Sequence, residues 1–285
     1  MTTDMINLPE AHHEREFVKM ADMIYSLHKD VKTVLIAGPS SSGKTSTSKR
    51  LALQCRTIGL NPKTIELDNY FVDREKTPLD ENGEYDFEAL GAMDLEFLGD
   101  QINDLLEGKE VEIPRFSFAE GKRYYTGDRM QLHENDILIM EGIHALNPAM
   151  LPDIDRTRIF HIYAMAQPSD IRLLRRIIRD TRTRGQSPER TILRWESVQK
   201  GESLNIIPYQ KYAEVVFNST LDYEMPVLKY YAEPLLNRIG PSSPAFSEAS
   251  RLLDILDKVQ VLSADKLSEI PPTSILREFI GGQTL

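Results

Sequence analysis

The sequence predicts an α/β protein, doubly wound around a mainly parallel sheet, with a helical lid and a C-terminal helical extension. Three observations predict it. Short apolar, β-branched runs alternate with amphipathic helical stretches, several runs end on glycine or an acid, and beyond about residue 222 the pattern turns helical.

Taken in order, residues 12–29 set Phe17, Ala21, Ile24 and Leu27 at helical spacing, so a helix packs ahead of the core. VKTVLIAG (31–38) is closed by Gly-Pro and reads as the first strand, buried on both faces. A helix from Thr45 to about Ile58 stops at Gly59, and Lys63–Leu67 is a second strand ending at Asp68. That strand, helix, strand order implies a right-handed crossover. Residues 93–107 form an amphipathic helix stopped by Gly108. Residues 111–135 are aromatic, charged and broken by Pro and Gly, which suits a hairpin or lid where function tends to sit.

Ile137–Met140, followed by Glu141, is a third strand, and Arg158–Ala164 a fourth. Residues 168–184 are an arginine-dense helix opened by Pro168-Ser169-Asp170 and closed by Gly185; another helix follows Ser187-Pro188. Val215–Phe217 is the last strand. The chain ends in IPPTSILREFIGG and its flanking residues, whose spacing points to no chemistry. No internal repeat or low-complexity linker divides it. The expectation is one domain over 1–285: an N-terminal helix (1–30), a core (31–222) and an extension (223–285) that packs on the site or serves an interface in a homo-oligomer.

Asp and Glu number 44 against 34 Lys and Arg, a formal charge of −10, which opposes nonspecific binding to nucleic acid or an anionic membrane. Phosphorylated ligands must then meet local positive sites. The lone Cys55 forms no internal disulfide, and no signal peptide or long apolar span is read, so the expected location is the cytoplasm.

GPSSSGKT (38–45) has the form Gly, four residues, Gly-Lys-Ser/Thr, placed between a buried strand and a helix. Its glycines let backbone N–H groups wrap a phosphate, Lys44 neutralises phosphate oxygens, and the Thr45 hydroxyl ligates magnesium. Gly38, Ser40, Ser41, Ser42, Gly43, Lys44, Thr45 and Ser46 are therefore expected to bind ATP or GTP with Mg2+. Glu141 stands where a second acid holds that metal, often through water. Asp68 ends the neighbouring strand, where an acid can accept a hydroxyl proton or merely cap a turn. Arg175, Arg179 and Arg182 recur along one helix with Arg176 and Arg184 beside them. Five guanidinium groups so close together suit a lid over a migrating phosphoryl group.

His12 and His13 read as solvated, because adjacent helical positions diverge and no third metal ligand is spaced to join them. His144 lies after Glu141, near the site or in a structural hydrogen bond. Tyr70, Phe71, Tyr85, Phe87, Phe116, Tyr124 and Tyr125 offer rings on which a base could stack, or core.

From about 30 to 222 the sequence resembles the phosphoribulokinase/uridine kinase family, in GPSSSGKT, LDNYF (67–71), EYDF (84–87), RFSFAEGKR (115–123), IMEGIHAL (139–146), RRIIRDTRTRG (175–185) and KYAEVVF (211–217), all in the family's order. It is most similar to bacterial uridine kinase-like proteins whose longer forms carry a threonyl-tRNA-synthetase-like N-terminal half, a likeness that extends to IPPTSILREFIGG. The resemblance implies a P-loop kinase fold acting on a small-molecule substrate, a nucleoside. It makes Asp68 the base that deprotonates the 5′-hydroxyl and gives Asp86 the ribose hydroxyls. It lines the base pocket with Phe71 and Phe116, beside Tyr70, and sets Arg123 and Arg176 on the substrate. Arg179 and Arg184 then contact nucleotide phosphates, with Lys44, and Glu141 completes the metal site.

The sequence departs from that pattern where uridine/cytidine kinases carry Tyr-Asp-Phe and then a base-reading His. Here stand Phe116-Ser117-Phe118 and Gly121. Gln186 replaces the last lid arginine, and Asn69 follows the catalytic Asp.

Overall fold

The computed structural model describes residues 4–285. A helix α1 (Asp4–Leu27) leads into β1 (Thr33–Ala37), α2 (Lys44–Thr57) and β2 (Asn61–Glu66). There follow α3 (Leu95–Leu106), the strands β3 (Val111–Ser117) and β4 (Lys122–Met130), β5 (Asp136–Glu141) and β6 (Ile159–Met165). Next come α4 (Ser169–Thr183), α5 (Pro188–Leu193), α6 (Trp195–Asn205) and β7 (Val215–Asn218). The chain closes with α7 (Glu224–Leu236), α8 (Phe246–Leu256), α9 (Ala264–Ser268) and α10 (Arg277–Ile280).

Five strands form one sheet in the order β2-β5-β1-β6-β7, every pairing parallel. Side chains alternate across a strand with period two, and the sequence uses that alternation to build two cores. Val34, Ile36, Ile137, Ile139, Phe160 and Ile162 face α1 and α2. Leu35, Ala37, Leu138, Met140 and Tyr163 face α3 and the β3–β4 hairpin. Both faces are covered, which is why β1 is buried along its whole length. A third core joins α4 through α8.

The hairpin expected within 111–135 is the antiparallel β3–β4 pair, irregular between Glu112 and Pro114 because proline has no N–H to give the ladder. The first helix begins earlier than its spacing suggests: it contains Pro9, a residue normally read as a helix start, and it buries Ile6, Glu10 and His13. His13 is therefore not solvated. It packs edge-on to Phe217 at 5.1 Å, and burial, before the nearby Arg50 charge, lowers its pKa to about 4. Leu27, expected in the core, is the last residue of α1 and is exposed. No helix among the described residues is long and apolar enough to cross a membrane.

Candidate active site

The parallel register brings three strand ends together. Glu141 pairs with Ile36 of β1 on one side and with Glu66 of β2 on the other, so the loop starting at Gly38, Asp68 and Glu141 all emerge at the C-terminal edge of the sheet. In open α/β sheets ligands bind there, beside the point where strand order reverses. A cavity of about 710 Å³ opens at this edge and is lined by Lys44, Thr45, Asp68 and Glu141 together with Phe71, Phe116 and Arg179.

The loop 38–45 is held open by backbone geometry and by neighbours. Ser41 and Gly43 take left-handed φ values of 59° and 81°. At Gly38 a Cβ would run into the Ala164 carbonyl oxygen of β6, so only glycine lets the loop leave the sheet this close to it. Ser40 and Ser41 face the cavity with Gly43, whereas Ser42 is fully buried beneath. Lys44, 9% exposed, donates to the Pro39 carbonyl at 3.2 Å, curling its ammonium over the loop. Ser46 donates through its N–H and its hydroxyl to Glu278 of the C-terminal segment.

Thr45 Oγ1 donates to Glu141 at 2.6 Å. Burial pushes the Glu141 carboxyl up to about 8 against the pull of Lys44, with Asp68 adding repulsion. A buried carboxylate so short of positive charge, touching a hydroxyl, is a hard all-oxygen donor pair. That set fits Mg2+, which binds one or two carboxylates, keeps several waters and shares substrate phosphates. Among the described residues no group of three or more His, Cys, Asp or Glu side chains could hold a metal alone.

The arginine helix α4 divides the side chains expected to form one lid. Arg172 and Arg175 point beneath the loop: Arg172 pairs with Glu202 at 2.7 Å and donates to the Ser40 carbonyl, while Glu202 also accepts from the Ser40 N–H at 2.9 Å. Arg175, wholly buried, pairs with Glu224 and donates to the Ser41 carbonyl at 3.2 Å. Arg182 reaches the Phe279 carbonyl at 3.2 Å. Arg175 and Arg182 thus hold structure and do not cover the cavity, because their partners lie on α7 and the C-terminal segment.

Arg176, Arg179 and Arg184 do line the cavity. All three gather on the one buried carboxylate of Asp180, at 3.3, 2.8 and 3.7 Å. Three cations thus share one ion-pair partner, with Glu88 and Asp68 acting on them from farther off. Burial and then the neighbouring Arg179 draw Arg184 down to about 10, and burial likewise lowers Arg176. An anionic ligand here would relieve both.

At the far end the rings of Phe71, Phe116 and Phe118 sit 5.3–6.0 Å apart, with Tyr85 and Phe87 nearby. Asn69 accepts from the Phe116 N–H at 3.2 Å, tying the strand end to the hairpin. Gly121 takes φ 71°, and the space beside it is filled by Arg74, whose Cζ would lie 2.8 Å from an added Cβ. A side chain at 121 would displace this arginine from the cavity wall.

Three expected substrate contacts lie outside the lining. Tyr70 is buried in the core, its hydroxyl donating to Gln101 at 2.8 Å, because it and Phe71 diverge at the end of a 3-10 turn. Arg123 pairs with Asp94 at 3.0 Å and stacks on Phe97 at 4.5 Å, which binds the hairpin to the start of α3. Asp86 accepts from the Glu88 N–H at 3.0 Å, in a turn whose neighbours Tyr85, Phe87 and Glu88 face the cavity. His144 is buried, its pKa lowered to about 4 chiefly by burial, and is not part of the lining. Residues with no role assigned from the sequence also stand in the wall: Arg74, Glu84, Glu88, Arg190, Arg194 and Glu278. The arginine pair at 190 and 194 had a signal in its four-residue helical spacing; Glu278 had none.

Comparison with known proteins agrees with this geometry. Residues 33–225 match the phosphoribulokinase/uridine kinase family. A uridine kinase of Staphylococcus aureus (strain JH9) is 31% identical over 184 residues, 64% of this chain and 84% of that protein. A solved structure described as a possible uridine kinase from Bacillus stearothermophilus shares the fold, with a TM-score of 0.50 and 19% identity over 71% of this chain and 98% of that one. With the phosphate-binding loop, its adjoining acid and the parallel sheet in place, the chain belongs to the phosphoribulokinase/uridine kinase family of P-loop kinases.

Proposed function

We propose that the protein transfers the terminal phosphoryl group of ATP or GTP, with Mg2+, to the 5′-hydroxyl of a nucleoside, uridine or a close analogue. The observation that carries this reading is that Lys44, Asp68 and the aromatic wall of Phe71 and Phe116 line one cavity. A phosphate chain on the loop and a base against the rings would leave the acceptor hydroxyl beside Asp68. The uridine kinase relative supports the same acceptor.

In this reading the Asp68 carboxylate accepts the hydroxyl proton as the new O–P bond forms and the bond to the leaving phosphate breaks. Lys44 and the Arg176, Arg179 and Arg184 cluster stabilise charge on the phosphoryl oxygens, so catalysis is positioning and electrostatics with no covalent intermediate. Thr45 and Glu141 would hold Mg2+, whose contribution is to neutralise and orient the phosphates.

Asp68→Asn is expected to lower kcat by about a hundred- to ten-thousandfold while leaving the donor Kd within about twofold. Undiminished turnover would remove Asp68 from the chemistry. A second reading draws on Arg74, Arg190 and Arg194 at the acceptor end, and on the absence of a base-reading histidine at Gly121. Those guanidinium groups suit an acceptor with its own phosphate, such as a sugar phosphate. Turnover measured across nucleosides and sugar phosphates separates the two, and tight ATP binding with no turnover on either would indicate a nucleotide-responsive module instead.

A further inference from the structure

The segment IPPTSILREFIGG lies beyond the stretch that matches the family, yet it packs against the phosphate-binding loop. Ile275 and Phe279 are buried in the core shared by β1 and α2. A Cβ on Gly43 would come within 2.8 Å of Ile275 Cγ2, so this segment sits directly on the loop. From it Glu278 reaches Ser46: one carboxylate oxygen accepts from the Ser46 N–H at 3.1 Å and from its hydroxyl at 2.7 Å. Gln283 completes the chain by donating to the Ser46 hydroxyl at 2.8 Å. Glu278 itself lines the cavity.

Ser46 is the third residue of α2. The first four N–H groups of a helix have no partner within it, and at a phosphate-binding loop they form part of the cradle for the donor's phosphates. In this structure one of those donors already holds an anion of the protein's own. A phosphate oxygen and the Glu278 carboxylate cannot share the same N–H, and at that distance the two negative charges repel.

We propose that Glu278 sets donor affinity from the C-terminal segment, its carboxylate occupying a phosphate position on Ser46 that ATP or GTP must take from it. The proposal rests on the reading of loop 38–45 as the donor site. It gives the C-terminal segment a role that packing alone does not require: it satisfies the helix end when the donor is absent and opposes the donor when it arrives.

The test uses the full chain, Mg2+ and a non-hydrolysable ATP analogue, with Kd read by calorimetry. Glu278→Gln keeps the shape and a neutral acceptor but removes the charge, and charge-assisted hydrogen bonds are about twice as strong as neutral ones, so the analogue should bind about fivefold tighter. Weaker or unchanged binding overturns the proposal. In the wild-type protein, hydrogen exchange should rise in residues 277–283 on adding the analogue while residues 38–46 become protected. Protection of both segments overturns it without any substitution, so the outcome does not depend on the variant folding. Lys44→Ala separates the two levels: if it leaves analogue binding unchanged, the donor-site reading itself falls, whereas if it abolishes binding and Glu278→Gln brings no gain, only the role of Glu278 falls.

Discussion

Neighbouring arginines on one side of α4 carry the same side chain to different ends. Arg172 and Arg175 each have an acid of their own, Glu202 and Glu224, and spend their remaining N–H groups on loop carbonyls. Arg176, Arg179 and, just past the helix, Arg184 share one ion-pair partner, Asp180, with Glu88 and Asp68 acting from farther off. The first set is paired one to one and fixed. The second is under-paired and open to a ligand's charge. Whether a buried arginine is structural or functional is thus decided by how many anions surround it.

The largest test of that contrast is on the one-to-one pairs. Arg175→Ala strands Glu224, which is 0% exposed, without its cation, and should cost about 3–5 kcal/mol in urea unfolding. A loss below about 1 kcal/mol would mean the pair is not what holds the loop. Next, Arg179→Ala should leave unfolding within about 1 kcal/mol, because Asp180 keeps two cations, yet lower kcat/KM by about a hundred- to a thousandfold. Equal destabilisation by the two variants would erase the distinction between the two sets.

The last test concerns a buried base set near the Arg50 and Arg175 cations. His13 Nδ1 has no hydrogen-bond partner, and the fold keeps the ring neutral, with a pKa of about 4 against about 6.5 when unfolded. The unfolded chain therefore binds the extra proton between those values. The contribution is fully present above pH 6.5 and is lost as pH falls toward 4, by about 3 kcal/mol. The difference in unfolding free energy between wild type and His13→Gln, followed over that window, should shrink as pH drops; a constant difference would show that His13 titrates normally.

Much of this architecture was legible because it is written locally. The core strands are continuous apolar runs, and the loop needs its glycines, lysine and threonine in one contiguous stretch. The register that joins Glu141 to Ile36 and Glu66 belongs to the folded sheet and is not written in the runs themselves. What stayed hidden depends on distant partners. Arg175 and Arg179 are indistinguishable in sequence, and the acid that buries the former lies 49 residues away. Tyr70 and Phe71 are adjacent aromatics, one in the core and one in the cavity, separated only by the turn that divides them. Pro9 concealed the first turns of α1, and the burial of His13 depends on Phe217, a partner far along the chain.

Gly38 shows how little slack the loop has at its root. Gly59 and Gly83 have nothing within 4 Å of an added Cβ, so substitutions there meet backbone strain but no obstacle of size. At Gly38 the obstacle is the main-chain oxygen of a central strand, which cannot rotate aside as a side chain could. Mutational damage at this position is therefore a threshold and not a gradient: alanine already incurs the collision, and a larger residue adds little to it.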